Sequence, residues 1–168
     1  MKKILLVALA LLVLTMSVAA AEGEIKIGQV QYAAHGTKCF AVMTVAMQGD
    51  VIADAYIDEY QFMATGSVGV PNSESDFGTA YPEGKVLASK KVNADAYSEN
   101  MAKAGSPVHL AANYAAIEAF VIGKTVAELE AEIAGKDAAA MVDAVSGSTL
   151  VDTLGYVNGL IEAAKAAK

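Results

Sequence analysis

The order of its strand-forming and helix-forming segments constrains the fold of this chain most strongly. Three runs of β-forming residues lie in its first half, separated by the turn dipeptides His35-Gly36 and Gly49-Asp50. From Asn93 onward, apolar residues recur at helical spacing. Strands followed by helices predict an α+β fold, in which an antiparallel meander forms one sheet covered by C-terminal helices. The predicted strands are Ile25 to Tyr32, Cys39 to Gln48 and Val51 to Phe62.

The third run alternates in the manner of a half-buried strand. Residues 64–92 follow it, and their prolines and glycines predict a structured loop region. The face expected to point inward carries Val51, Ala53, Ala55 and Ile57, and the face expected to point outward carries Asp54, Tyr56, Asp58 and Tyr60.

Helix start and stop signals are clear in the second half of the chain. Ser106 is the expected cap and Pro107 the first residue of a helix that stops at Gly123. Thr125 and Glu128 have the spacing of a capping box for the next helix. A weaker helix signal covers residues 94–103. The apolar stripe of the first of these helices is Leu110, Tyr114, Ile117 and Val121, and that of the second is Val126, Leu129 and Ile133.

The last helix is expected from about Leu150, with Thr149 as an acceptable N-cap. Gly155 and Gly159 fall inside it, where each glycine costs about 1 kcal/mol relative to alanine. We therefore expect another element, most simply a strand, to approach this helix closely at the two glycines.

Residues 1–21 have the pattern of a secretory signal peptide. Two lysines precede an uncharged run that ends in Ala19-Ala20-Ala21, as a signal-peptidase site requires. We expect cleavage before Glu22 and an extracytoplasmic domain of residues 22–168. The alternative is an uncleaved membrane anchor, because the run of 18 apolar or small residues approaches the minimum length of a spanning helix.

Composition excludes several classes of function. The chain has 12 lysines, no arginine and 19 acidic residues, and after cleavage ten lysines remain, which gives a net charge of −9. No basic face is therefore available for nucleic acid. One cysteine and two histidines are too few for a structural zinc site, and a lone cysteine cannot form an intrachain disulfide.

Familiar catalytic machinery is also missing from the sequence. It contains no nucleophile elbow, no P-loop and no glycine-rich dinucleotide motif. Cys39 lies among apolar strand residues and is expected to be buried. His35 is expected in a hairpin and His109 in a first helical turn, with no residue nearby in sequence to orient either as a base. Lys90 and Lys91 are expected to be a solvated surface pair.

Residues 143–150, just before the last helix, carry the one specific signal. They read Asp-Ala-Val-Ser-Gly-Ser-Thr-Leu. This run closely resembles the flavinylation motif of the FMN-binding domain family, which includes the C subunit of the sodium-pumping NADH:quinone oxidoreductase and the G subunit of Rnf complexes. In that family, a threonine that follows an aspartate and a serine-glycine stretch becomes esterified to the phosphate of FMN.

The resemblance assigns a role to each residue of the motif. It implies that Thr149 carries covalent FMN, that Asp143 is the family's aspartate, and that Ser146 and Gly147 are its small pair. Ser148 stands where the family usually has alanine. A flavin transferase is the implied partner for maturation.

Local physics agrees with this assignment. The first turn of a helix has free N–H groups and partial positive charge, so a phosphate on Thr149 is expected to lie against the start of the last helix. Gly147 would allow the close backbone approach that anion sites need. Tyr56 and Tyr60 share a strand face and could stack on the flavin ring.

Two functions follow as alternatives. The first is an extracytoplasmic electron-transfer flavoprotein, a redox carrier or oxidoreductase subunit rather than a stand-alone enzyme, whose acidic surface favours basic redox partners. The second is a secreted non-redox module of the same fold, which binds a ligand or protein through residues 64–92 and the face of Tyr56 and Tyr60.

Overall fold

The computed structural model describes residues 23–36, 38–73 and 78–168, so the predicted signal peptide lies outside the described residues. Within them, four strands form one antiparallel sheet in sequence order. The predicted meander is confirmed, and a fourth strand lies inside the segment that was expected to be a loop. The strands are β1 (Ile25–Tyr32), β2 (Cys39–Gln48), β3 (Val51–Ala64) and β4 (Lys85–Ser89).

Helices follow the sheet, which confirms the α+β class. The helix α5 packs on β1 and β2, and α2 packs on β3. We call the sheet face that the helices cover the inner face and the opposite one the outer face. No helix in the described part of the chain has both the length and the apolar character to cross a membrane. The helices are α1 (Ala94–Lys103), α2 (Leu110–Val121), α3 (Val126–Ile133), α4 (Ala138–Ala144) and α5 (Thr153–Lys165), and a short 3-10 turn spans Gly78–Ala80.

Two helix starts differ from the prediction. The N-cap of α2 is His109, whose ring accepts a hydrogen bond from the Ala111 amide, so Ser106 and Pro107 lie before the helix. The helix α5 begins at Thr153, and residues 150–153 form a turn closed by a hydrogen bond from the Thr153 amide to the Leu150 carbonyl. Thr149 is therefore not a helix cap. The capping box of Thr125 and Glu128 is present as predicted.

A β-bulge in β3 changes the predicted inward face. Ala46 pairs with Asp54 and Met47 pairs with Ile52, so Ala53 is the extra residue. Ile52 is fully buried while Ala53 is exposed. The predicted inward face is therefore wrong before the bulge, where Ile52 is buried rather than its neighbours Val51 and Ala53. After the bulge it is right, since Ala55 and Ile57 are buried.

Glycines allow α5 to lie directly on the sheet, as predicted. A Cβ at Gly159 would overlap the sulfur of Met43 on β2, and one at Gly155 would lie 2.6 Å from the Ala34 carbonyl oxygen. On the strand side, a Cβ at Gly28 would overlap the backbone oxygen of Ala163. This close approach places the loop before α5 at the end of the sheet where β1 leads into β2.

Candidate functional site

The loop between α4 and α5 holds most of the motif and packs against α2. Gly147 has a φ of +94°, which favours glycine, and a Cβ there would lie 3.3 Å from the Cβ of Ala116. Two residues later, the Thr149 amide donates a 2.6 Å hydrogen bond to Oδ1 of Asn113. The loop is therefore fixed to α2 by its backbone as well as by packing.

Asn113 is the centre of this arrangement. Its side chain is fully buried, and its Nδ2 donates to the carbonyls of Val108 and His109 at 3.0 and 3.2 Å. It joins the start of α2 to the motif loop and satisfies polar groups of both. The sequence carried a signal for it, since Asn113 is a polar residue in the same helical phase as Leu110 and Ile117.

The two neighbouring hydroxyls of the motif differ in their surroundings. Ser148 is buried, and its hydroxyl lies 2.9 Å from Oγ1 of Thr153. Thr149 is partly exposed, and among the described residues its hydroxyl has only long contacts of 3.4 Å, to Asn113 Oδ1 and to Ser106 Oγ. The hydroxyl of Thr149 is thus weakly held on a firmly held backbone.

The other two motif residues do not join this cluster. Asp143 is exposed near the end of α4, and Ser146 is exposed in the loop. Neither is among the hydrogen-bond partners of the Thr149 hydroxyl. The expected contact between a Thr149 phosphate and the start of the last helix is also not supported, because Thr149 lies four residues before α5 and beside the first turns of α2.

A polar cleft of about 380 Å³ adjoins the site and shares Ser106 with it. On one side it is bounded by His109, whose Nε2 lies 3.0 Å from Oδ1 of Asp95. Both side chains are largely exposed. The cleft is lined by Asp95, Ser98, Glu99, Ser106, Pro107 and His109, among others.

A charged cluster that was not predicted lies in the core between the sheet and the helices. Glu59 is fully buried, and its Oε2 accepts hydrogen bonds from Lys90 Nζ at 2.5 Å, Tyr156 OH at 2.9 Å and Tyr114 OH at 3.2 Å. Its other oxygen, Oε1, is buried and has no hydrogen-bond partner within the described part of the chain. We call these four residues the Glu59 cluster. Glu59 has the same strand phase as Ala55 and Ile57, so its inward position could have been predicted.

The prediction of a solvated lysine pair is wrong for Lys90, because its side chain is only 1% exposed. Burial lowers the pKa of its ammonium, but the hydrogen bond and charge of Glu59 outweigh that effect, and the pKa is raised. Burial and the charge of Glu59 also raise the pKa of both tyrosines, Tyr114 and Tyr156. The phenols therefore stay protonated as hydrogen-bond donors to a carboxylate paired with an ammonium.

The two tyrosines proposed to stack on a flavin do not lie with Thr149. Tyr56 is on the outer face of the sheet, and the ammonium of Lys91 lies 3.7 Å from its ring centroid. Lys91 also donates to Glu118 of α2 at 2.9 Å. Tyr60 lies further along the same outer face, whereas Thr149 contacts the helices of the inner face.

Cys39 and His35 lie near the other side of the motif loop. Cys39 is buried as predicted, its thiol donates to the His35 carbonyl at 2.7 Å, and burial together with Glu59 raises its pKa. His35 lies between β1 and β2, as expected, and its Nδ1 pairs with Oδ2 of Asp152. That partner is 117 positions away, so the sequence pattern could not indicate it.

Comparison with known proteins identifies no relative. No family model, no curated protein and no solved structure matches this chain. Among the described residues, no three histidine, cysteine or acidic side chains are grouped in a way that could hold a metal ion.

Proposed function

We propose that this protein is an extracytoplasmic electron-transfer flavoprotein that carries FMN esterified through its phosphate to Thr149. The observation that carries the proposal is the state of that residue, which is partly exposed and has a loosely held hydroxyl, while its amide is fixed to Asn113. An acceptor for a transferase needs this combination, because the hydroxyl must be reachable and its position defined.

The residues around Thr149 fit a phosphate ester. The Ser106 hydroxyl, 3.4 Å from Thr149 Oγ1, could donate a hydrogen bond to an ester oxygen. Ser148, which replaces the family's usual alanine, turns its hydroxyl into the core, so it does not compete with Thr149 as acceptor. A phosphodiester carries a single negative charge, which suits a chain without arginine.

In this proposal, the chain supplies attachment and position rather than chemistry. Thr149 bears the ester, Asn113 fixes its backbone and Ser106 faces its oxygen. When bound, FMN supplies the electron transfer. Covalent attachment prevents loss of the cofactor by dilution outside the cytoplasm, and the acidic mature chain favours basic redox partners in a salt-dependent way.

Mass spectrometry of the full chain, exported in cells that contain a flavin transferase, tests the proposal. The wild-type protein should begin at Glu22 and gain the mass of one FMN less one water, mapped to the peptide of residues 143–149. Thr149→Asn keeps a polar side chain of similar size but offers no hydroxyl, so it should fold and stay colourless. Thr149→Ser should retain covalent flavin.

The matched control is Thr65→Asn, which changes an exposed threonine elsewhere and should leave flavin attachment unchanged. Covalent flavin on folded Thr149→Asn would contradict the proposal. So would an unmodified wild-type chain purified beside a control substrate that the same transferase modifies.

A further inference from the structure

A second cleft lies on the outer face of the sheet, around the end of β3 and the strands beside it. Its volume is about 560 Å³, within the range of small-molecule sites. Phe40 and Tyr60 are cross-strand partners on β2 and β3, and Phe62 faces Leu87 of β4. These four side chains, with Pro82 and Cys39, form the apolar part of the lining.

The aromatic rings at this cleft pack against one another but remain partly exposed to solvent. Phe40 and Tyr60 stack with ring centroids 5.8 Å apart and an interplanar angle of 24°. Phe62 meets Tyr81 edge to face at 5.4 Å. Nevertheless, Phe40 is 40% exposed and Phe62 is 43% exposed. Clustered exposed aromatic side chains of this kind are typical of a binding surface.

The charge of this cleft is opposite to that of the chain. Lys38 and Lys85 line it, and none of its other lining residues in the described part of the chain is acidic. Neither lysine forms an ion pair with another described residue. Burial and the hydrogen bond to Asp58 raise the pKa of Tyr60 to about 12, so its phenol adds no negative charge. A protein of net charge −7 therefore has, beside stacked aromatic rings, two lysines without an ion-pair partner among the described residues.

We propose that this cleft binds a free planar aromatic anion, whose rings stack on Phe40, Tyr60 and Phe62 and whose acid group pairs with Lys38 and Lys85. Aromatic stacking favours a flat ligand, and the two ammonium groups select a carboxylate, sulfonate or phosphate on it. This site is on the opposite sheet face from Thr149. It is independent of whether Thr149 carries flavin.

Titration of the ¹⁵N-labelled full chain with 2-naphthalenesulfonate, followed by NMR, tests the site. Chemical shifts should change at the ends of β2 and β3 and in β4. The neutral 2-naphthol and the non-aromatic cyclohexanesulfonate should each bind at least about tenfold more weakly, because each lacks one of the two interactions. Equal binding of all three compounds, or shift changes away from the cleft, would overturn the proposal.

Variants separate this site from general dye binding. The double change Lys38→Gln and Lys85→Gln should weaken naphthalenesulfonate binding about tenfold, whereas Lys103→Gln, at an exposed lysine of α1, should not change it. Phe62→Leu should also weaken binding. Unchanged affinity in the double lysine variant would overturn the proposal.

The preparation of the protein distinguishes a free ligand from the proposed tethered cofactor. We expect equal affinity for chain produced with and without a flavin transferase, because the cleft takes a separate molecule. Binding that occurs only without the transferase would mean that a tethered flavin ring fills the cleft, and the proposal of a free ligand would be wrong.

Discussion

At the scale of single residues, Asn113 matters most for the candidate site. Its Oδ1 accepts from the Thr149 amide, and its Nδ2 donates to two carbonyls before α2. One fully buried amide thus satisfies three backbone groups from two segments that are far apart in sequence. The loop that carries Thr149 is therefore held in place by a residue outside residues 143–150.

If Thr149 carries flavin as proposed, Asn113→Ala should slow its attachment, and it should destabilise the fold by about 1–3 kcal/mol, because three partly buried backbone groups lose a side-chain partner. Flavin incorporation into folded chain is followed by in-gel fluorescence, and stability by urea unfolding. The matched control is Asn100→Ala, on the exposed side of α1. An attachment rate equal to that of the wild type would show that Asn113 has no positioning role.

At the scale of elements, the contact of α5 with the sheet decides where the motif loop lies. Glycines on both sides bring the backbones together, since Gly28 of β1 faces Ala163 and Gly159 of α5 faces Met43. The conformational cost of the helix glycines is offset by the burial of one whole side of α5.

Gly28→Ala should lower the free energy of unfolding by about 1–3 kcal/mol, because the new Cβ would overlap the backbone of α5, which cannot move aside as a side chain can by changing its rotamer. Urea unfolding measures the change. Gly69→Ala is the control, since a Cβ there would lie 3.6 Å from the Leu87 carbonyl oxygen, an ordinary contact. Equal stability of the two variants would contradict the packing described for α5.

At the scale of the whole molecule, the Glu59 cluster connects elements from both halves of the chain. Glu59 belongs to β3, Lys90 follows β4, Tyr114 is on α2 and Tyr156 is on α5. A buried carboxylate and ammonium stabilise a fold only when both are paired and hydrogen-bonded. Loss of any one partner therefore affects the sheet and the helices together.

The cluster predicts a loss of stability at high pH. Lys90, Tyr114 and Tyr156 have folded-state pKa values above their ordinary values of 10.5, 10.0 and 10.0. A group whose pKa is raised by folding contributes stability that is complete below its unfolded pKa and is lost as pH rises through the folded pKa. The free energy of unfolding should therefore begin to fall above about pH 10.

Urea unfolding at about pH 8 and about pH 11 checks this. Tyr156→Phe removes one of the ionising groups, so its stability should be lower at the first pH but fall less between the two. Tyr56→Phe, at an exposed tyrosine, should show the same fall as the wild type. A fall in Tyr156→Phe as large as that of the wild type would contradict the role of the cluster.

The sequence by itself determined most of the local structure. Strand periods predicted β1 to β3 and their antiparallel order, because these features depend on neighbours within a few residues. For the same reason, a helix signal over residues 94–103 predicted α1, a capping box predicted α3, and the spacing of apolar residues predicted the buried stripe of α2. The glycines of α5 correctly indicated a strand in close contact.

Long-range contacts decided the rest. The helix α5 begins at Thr153, and the residue expected to cap it, Thr149, is instead held by Asn113, 36 positions earlier, which accepts a hydrogen bond from its amide. Lys90 is buried because the Glu59 carboxylate compensates its charge, and two tyrosines from α2 and α5 donate hydrogen bonds to that carboxylate. Local patterns report the preferences of a segment, but the pairing of buried polar groups depends on partners that only the folded chain brings within hydrogen-bond distance.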